Sequence, residues 1–379
     1  MTAVVISPAA ASAATPRLEW VDAVRGFSVA AVVLFHVVLW DYGPVAQSVH
    51  PAGRAVWGVV NTMLGSVRMP VLLTVSGLVV AHRIRQESVV PGVLRRSLRN
   101  YYLYVVWLLV YAVFYAAFEA QYLRHRVGGP LDVVRQLLVP GTTLWYLLAI
   151  AVYILVLGVL RHVRPWVVLT ALTLLSTAVH ASDFPGQLWY KVPELFVFFA
   201  VGVYGSDLVR RLAEQATLAR LGMAFLAAGG VTVLGSLAPD RITDAMLFLP
   251  RGVAFVALCV VAVTIAVRWA PVRRLGLALG RETLPVYVLH PLWIALTTMA
   301  VATWAGDPVV AFRGTVVGAL LWPGLLTIAI IVLSLPARRF ADRVHLSALF
   351  AMPPSWSRRL DALARSRPAE APAGRPSPA

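Results

Sequence analysis

The sequence is poor in acidic residues, in lysine and in cysteine. It has 17 Asp and Glu residues against 33 Lys and Arg residues, and Lys191 is its only lysine. The single cysteine, Cys259, cannot form an intrachain disulfide and has no His or acid near it in sequence. We therefore expect a packed core residue there rather than a nucleophile. No His, Asp and Glu residues have the spacing of metal ligands, so no metal site is expected.

Long polar stretches are scarce as well. The chain of 379 residues is 59% hydrophobic and only 13% charged, whereas a soluble domain is about 25% charged. This composition excludes an ordinary soluble enzyme and favours a polytopic membrane protein. The net charge of +16 does not indicate a nucleic-acid partner, because the arginines lie between apolar segments rather than on one soluble face.

The apolar residues form ten segments, each about long enough to cross a bilayer as a helix. If the N-terminus is cytoplasmic, the short loops facing the cytoplasm hold most of the arginines, as the positive-inside rule requires. The sequence thus predicts an all-α bundle of ten transmembrane helices with both termini in the cytoplasm. The predicted spans are 26–40, 59–81, 101–118, 143–160, 166–181, 192–208, 221–237, 247–267, 284–304 and 315–335.

The two ends of the chain differ from the apolar body. Residues 1–16 lack the basic region typical of a signal peptide, and residues 1–17 are predicted to be a disordered tail. Residues 341–379 are basic at first and then rich in Pro and Ala, which predicts a cytoplasmic tail. The membrane domain is therefore expected to cover residues 18–340, in a cytoplasmic membrane of bacterial type.

The first apolar segment carries an acid, a base and an imidazole. His36 lies eleven residues after Arg25, which is three helical turns plus about 20°, and Asp22 lies about 40° from the same face. Counting 1.5 Å per residue places His36 roughly 15 Å deep, near the middle of the bilayer. A buried His needs hydrogen-bond partners, so His36 is either a functional residue or one held by a neighbouring helix.

Several motifs are similar to those of the acyltransferase-3 family of membrane-bound O-acyltransferases. The chain has an Asp-x-x-Arg-Gly step followed by His36, an Arg-x-x-Arg motif at Arg96 and Arg99, and a late Tyr-x-x-His-Pro segment. The resemblance covers roughly residues 18 to 340. The segments that resemble family motifs occur in the same order as in the family. They are DAVRG with LFH, MPVLLTVSGLVVA, RRSLRNYY, TTLWYLLAIAVY, FVFFAVGVYGSDL and TLPVYVLHPLW.

This resemblance implies a reaction. Family members move an acyl group, acetyl in the simplest case, from cytoplasmic acyl-CoA to a hydroxyl of a carbohydrate, a glycolipid or a glycosylated natural product. The implied partners are the bilayer, the acceptor and acyl-CoA, which is a co-substrate rather than a permanently bound cofactor. Such a transfer needs a base, and a His with an unperturbed pKa of about 6.5 is suited to that role. His36 is the predicted general base, with a covalent acyl-His intermediate as an open alternative.

The resemblance also implies a donor site. Arg96 and Arg99 lie side by side on a helix, and Arg95 joins them through its i, i+4 spacing to Arg99. From spacing alone these residues are a positive-inside signal, whereas the resemblance implies that they bind the phosphates of acyl-CoA. Arg25 is expected to be a further phosphate contact or an orienting contact, held in place by Asp22. We expect His36 and these arginines to open onto one cavity.

Other polar and aromatic residues are weaker candidates. Arg68 lies inside the second span and is either functional or the buried partner of an acid. Glu194 either orients His36 or an acceptor, or simply lies at the interface beside Lys191. Trp145 and Tyr146 either stack on a sugar or are interfacial aromatics, and His290 is a candidate substrate contact. The remaining histidines are interpreted as having no role: His50, His82, His125, His162, His180 and His345.

A polytopic transporter or flippase for a glycan or lipid-linked substrate is the main alternative. It would also have about ten helices and a few buried polar residues. It would be expected to show broken helices in matching halves and acids at depth, and this sequence has few such acids and no visible repeat. Nothing in the sequence fixes the oligomeric state.

Overall fold

A computed structural model describes residues 18–85, 90–118, 127–182, 184, 187–304, 306–356 and 358–359. In this part of the chain the protein is all-helical, without strands. The helices are α1 (Glu19–His36), α2 (Pro51–Arg85), α3 (Val90–Ala117), α4 (Pro130–Gln136), α5 (Trp145–Val159), α6 (Pro165–Ala181), α7 (Lys191–Tyr204), α8 (Ser206–Glu214), α9 (Leu218–Ser236), α10 (Arg241–Ala266), α11 (Ala270–Arg281), α12 (Thr283–Trp304), α13 (Gly306–Gly314), α14 (Val316–Ser334) and α15 (Ala337–Arg343).

The protein is a polytopic helical bundle, as predicted. Helices occupy all ten predicted spans, because apolar runs of this length satisfy their backbone hydrogen bonds in a membrane only within a helix or a closed barrel. Among the described residues, eight helices are long and apolar enough to cross a membrane. The helix α6 is shorter, with 17 residues. The count of ten and the cytoplasmic termini stay predictions.

The sixth predicted span differs from the structure. The sequence predicts one helix over 192–208, but α7 ends at Tyr204 and α8 begins at Ser206. The two helices meet at an angle of 69° and together form one candidate span or a re-entrant segment. Polar residues Ser206 and Asp207 follow the break directly, but Leu208 and Val209 after them are apolar again, so the hydrophobic pattern alone does not place the bend at Gly205.

Glycines set how closely the helices around the centre approach one another. A Cβ atom on Gly202 of α7 would clash with the carbonyl oxygen of Thr74, and one on Gly77 of α2 would clash with that of Phe199. Small residues allow this close backbone contact between membrane helices. The helix α1 is held in the same way against α11, where a Cβ atom on Gly280 would clash with the carbonyl oxygen of Asp22.

The packed part of the chain extends beyond residue 340. A short 3-10 turn at Ser347–Leu349 lies against α3, where Trp107 Nε1 donates to the carbonyl oxygen of Leu349 at 2.7 Å. Phe350 is buried and packs on the ring of Trp107. The tail predicted at 341–379 therefore begins with a docked segment. Residues 1–17 and 360–379 lie outside the described residues.

We predict that Gly202→Ala lowers the stability of the folded protein. The added methyl group would overlap backbone, and such overpacking costs about 1–3 kcal/mol. The control is Gly229→Ala on α9, where an added Cβ atom meets nothing within 4 Å. Thermal unfolding in detergent should show a lower midpoint for Gly202→Ala only. An equal midpoint for both variants would contradict the close contact between α2 and α7.

Candidate active site

The candidate site begins where α1 ends. After His36 the chain makes a π-helical turn, Val37–Tyr42, a distortion that is frequent at functional sites. The buried carboxylate of Asp41 holds this turn in place by accepting from Arg313 Nη2 and from Trp322 Nε1, each at 2.8 Å. The side chains of Asp41 and Arg313 are 2% and 4% exposed. A deeply buried ion pair thus fixes the end of the helix that carries His36.

His36 contacts a second histidine. Its Nδ1 lies 3.0 Å from Nε2 of His290 on α12, and Nδ1 of His290 lies 2.7 Å from the carbonyl oxygen of Tyr287. A carbonyl only accepts, so the Nδ1 of His290 donates and, in the neutral ring, its Nε2 accepts from His36 Nδ1–H. This chain of hydrogen bonds leaves Nε2 of His36 as the acceptor atom of a neutral ring. Such an atom can take a proton from a hydroxyl.

Aromatic rings and one arginine surround His36. Its ring stacks on Trp40 with centroids 4.3 Å apart and meets Phe35 edge-on at 5.3 Å. The guanidinium of Arg68 lies over the Phe35 ring at 3.4 Å and donates to the carbonyl oxygen of Leu64. Within the described part of the chain, Arg68 Nε is buried without a hydrogen-bond partner, and no acid forms an ion pair with Arg68. The structural alternative of an acid partner is therefore not observed.

His36 opens onto a cavity of about 260 Å³, which we call the histidine cavity. Three of the weaker candidates from the sequence, Arg68, Trp145 and Glu194, line it as well. Helices α1, α2, α5 and α7 supply these side chains. The structure thus brings together residues that are up to 158 positions apart in sequence, from 36 to 194.

A second cavity, the arginine cavity, lies toward the N-terminal end of α1 and has a volume of about 380 Å³. Arg25, Arg96, Arg99 and Arg338 line it, together with apolar residues such as Leu72. No carboxylate of the described residues lines it. Arg25 Nη2 lies 3.4 Å from Thr283 Oγ1, to which it donates. Four guanidinium groups around one apolar cavity suit an elongated ligand with phosphates at one end.

The expectation of one shared cavity was wrong. Tyr146 and Tyr287 line the arginine cavity with rings 5.4 Å apart, and the ring of Tyr287 contacts His290, the partner of His36, whereas His36 itself lines the histidine cavity. The hydroxyl of Tyr287 donates to the carbonyl oxygen of Thr143, and that of Tyr146 lies 2.8 Å from Ser76 Oγ. We call these two rings the tyrosine partition. Sequence spacing places side chains on faces but does not show which rings fill the space between them.

Two residues of the predicted donor site lie outside the arginine cavity. Arg95 is exposed and Asp22 is buried against α11, and neither lines the cavity. Both members of the Arg-x-x-Arg motif, Arg96 and Arg99, do line the cavity. Arg338, just after the tenth predicted span, lines it as well and was not among the predicted site residues.

A third cavity, the polar cavity, has a volume of about 550 Å³ and shares Lys191 and Glu194 with the histidine cavity. Glu194 is 2% exposed, forms an ion pair with Lys191 Nζ at 2.7 Å and lies within hydrogen-bond distance of His180 Nδ1, at 2.8 Å. His180, to which the sequence assigned no functional role, also lies 3.4 Å from a carboxylate oxygen of Asp244 and so belongs to a polar network. Its position at a helix end gave no signal of that network.

No metal is indicated by the arrangement of side chains. In the part of the chain that the structure describes, no three His, Cys, Asp or Glu side chains are close enough to hold a metal ion. The chemistry of the site therefore has to be derived from the histidine pair, the arginines and the substrates that these groups can bind.

We predict that Asp41→Asn destabilises the protein strongly. The substitution leaves the buried charge of Arg313 without its partner, which typically costs about 3–5 kcal/mol. The matched control is Asp207→Asn, because Asp207 pairs with Arg85 at the surface and such pairs contribute at most about 1 kcal/mol. Denaturant unfolding in detergent measures both. Equal stability of the two variants would contradict an anchoring role for Asp41.

Comparison with known proteins identifies the family. No curated protein and no solved structure matches the chain. A family model described as an acyltransferase domain, that of the acyltransferase-3 family, matches residues 18–338, which include helices α1 to α14. This match supports an enzyme, and no finding supports the transporter alternative. The chain therefore belongs to the acyltransferase-3 family and is a multi-pass membrane acyltransferase.

Proposed function

We propose that the protein moves an acyl group, acetyl in the simplest case, from cytoplasmic acyl-CoA to a hydroxyl of a carbohydrate, glycolipid or glycosylated natural product. This membrane would be the cytoplasmic membrane of a bacterial-type cell. One observation carries the proposal. The His36–His290 pair connects an arginine-lined cavity, through Tyr287, with a cavity of mixed polar character.

The arginine cavity supports acyl-CoA as the donor. Guanidinium groups bind phosphate through paired N–H donors, and coenzyme A carries phosphates at the end remote from its thioester. Arg96 and Arg99 lie at the end of the cavity formed by the start of α3, and Leu103 continues its wall one turn further along that helix. We infer that the phosphates stay at the arginines while the pantetheine arm follows this apolar wall inward.

The tyrosine partition must open for transfer to occur. The thioester of a donor in the arginine cavity faces Tyr146 and Tyr287, whereas Nε2 of His36 belongs to the other cavity. We infer that the pantetheine arm displaces these rings when the donor is fully bound. Water is then kept from the thioester until an acceptor is in place, which limits wasteful hydrolysis.

The chemistry follows from the histidine pair. Nε2 of His36 takes the proton of the acceptor hydroxyl while that oxygen attacks the thioester carbonyl. The C–S bond then breaks, and the sulfur leaves as the thiol of coenzyme A with the proton from His36. His290 accepts from His36 Nδ1–H and stabilises the imidazolium that forms. Transfer through an acyl-His intermediate uses the same two groups.

Arg68 is suited to stabilising the developing oxyanion. Its guanidinium lies in the histidine cavity, and its Nε has no hydrogen-bond partner in the described structure. A positive group placed in a water-poor site stabilises negative charge more strongly than in water. We propose that the carbonyl oxygen of the thioester points toward Arg68 during transfer.

The polar cavity supports a sugar-like acceptor. Its carboxylates and cationic groups offer both acceptors and donors for hydroxyls, and the ring of Tyr190 adds an aromatic surface. Glu194 and Lys191 belong to both this cavity and the histidine cavity, so a hydroxyl held there can point toward His36. Trp145 provides a further aromatic wall on the His36 side.

We predict that Arg96→Ala with Arg99→Ala weakens binding of coenzyme A by at least tenfold. Each charge-assisted hydrogen bond contributes about 1.5–3 kcal/mol, so the loss of one alone suffices for that factor. Arg95→Ala is the matched control, since Arg95 is adjacent in sequence but does not line the cavity. Calorimetry on nanodisc-embedded protein measures the affinity. If Arg95→Ala weakens the binding of coenzyme A by the same factor, the assignment of the arginine cavity as the donor site is contradicted.

His36→Ala should bind coenzyme A like the wild type and lose acyl transfer. Release of free coenzyme A together with a mass gain on an acceptor glycan or glycoside measures the reaction. General-base catalysis typically contributes 10²- to 10⁴-fold, so a loss in this range is expected. Transfer that survives the substitution would remove His36 from the mechanism, and a wild type that binds no acyl-CoA would contradict the donor assignment.

We predict that Glu194→Gln raises the KM for the acceptor by about tenfold and leaves the affinity for coenzyme A unchanged. The amide keeps the shape of the side chain but removes the charge that pairs with Lys191 and His180. Asp207→Asn on the exposed helix α8 serves as the control. A changed affinity for coenzyme A with an unchanged acceptor KM would show that the two cavities are assigned the wrong way round.

A further inference from the structure

The arginine cavity has a wall that lies outside the family domain. The family match ends at residue 338, yet Phe350 and Ala351 line the cavity together with the arginines. They belong to the segment 346–352, which we call the C-terminal strap. The function proposed above assigns no role to this segment, and the inference that follows rests on that function.

The C-terminal strap is held on α3 by side chains that bind its backbone. Tyr102 Oη donates to the carbonyl oxygen of Ala348 at 3.0 Å, and Trp107 Nε1 donates to that of Leu349 at 2.7 Å. The ring of Phe350 packs on Trp107 with centroids 5.5 Å apart. Carbonyl groups that lack a helical partner are satisfied in this way beside an apolar helix. These contacts fix the strap at a defined position rather than leaving it as a tail.

The position of the strap decides which part of a donor it can touch. Trp107 follows Arg99 by eight residues on α3, which corresponds to about 12 Å along the helix. Phe350 packs on Trp107 and is 8% exposed. Its ring therefore lies about two turns further along α3 than Arg99, beside the wall that Leu103 continues. A donor whose phosphates lie at Arg96 and Arg99 holds its acyl end in this part of the arginine cavity until the tyrosine partition opens.

We propose that the C-terminal strap selects the length of the acyl group, with Phe350 as the residue that limits it. The buried ring occupies space into which a longer acyl chain would otherwise extend. Removing the ring opens apolar volume at that place. Each methylene group that is buried there strengthens binding about fourfold.

The test compares acetyl-, butyryl- and hexanoyl-CoA on the full-length protein in nanodiscs, with affinity by calorimetry and thioester consumption as a second readout. For Phe350→Ala we expect the ratio of hexanoyl to acetyl affinity to rise at least tenfold over wild type. The ratio is the readout, because a general effect of the substitution on coenzyme A binding cancels in it. Trp356→Ala is the control, because Trp356 packs on Tyr102 and does not line the cavity.

A second variant changes the same wall in the opposite sense. Ala351→Phe adds bulk to the cavity and should lower the ratio of hexanoyl to acetyl affinity. If Phe350→Ala does not fold, the ratio measured for Ala351→Phe alone still tests the role of the strap. A wild type that binds coenzyme A, with a ratio that neither variant moves, would overturn the role of the strap alone. A wild type that binds no acyl-CoA would overturn both this inference and the donor assignment.

Discussion

The hydrogen bond between His36 and His290 is the contact on which the rest of the site depends. It joins α1 to α12, two helices that are 254 residues apart at this point. Inside a membrane an imidazole without a partner is costly, and each of these rings satisfies the other. The carbonyl oxygen of Tyr287 then fixes the direction of the whole chain of hydrogen bonds. The contact that satisfies the two buried rings therefore also makes Nε2 of His36 the proton-accepting nitrogen.

Such a contact requires α1 to be held at both ends. Near its start, Gly276 and Gly280 of α11 allow the backbone of α1 to approach closely. At its end, the ion pair of Asp41 with Arg313 fixes the π-helical turn that follows His36. An ion pair at this depth adds little to stability in itself, because desolvation offsets the attraction. Its value lies in specificity, since any shift of the turn would separate the two charges.

The sequence predicted much of the fold but less of the site. Apolar run length placed helices at all ten predicted spans, and the positions of His36, Arg96 and Arg99 followed from their helices. The partner of His36 was not predicted, because helical periodicity relates residues within one helix and His290 lies on another. The tyrosine partition and the polar network at His180 depend on how α5, α6, α7 and α12 pack together. How closely these helices pack depends on glycines such as Gly202, where two backbones come into contact. The periodicity of apolar residues does not show where such contacts occur.

The separation of the two cavities matters for a reaction inside a membrane protein. If the arginine cavity opened directly into the histidine cavity, one continuous cavity would run along α1 from Arg25 to His36. Tyr146 and Tyr287 close that path with two rings whose hydroxyls are hydrogen-bonded in place. In the proposed reaction only the narrow pantetheine arm displaces them, and it fills the opening that it makes. In the proposed reaction the partition therefore limits the entry of water and protects the thioester with the same two side chains.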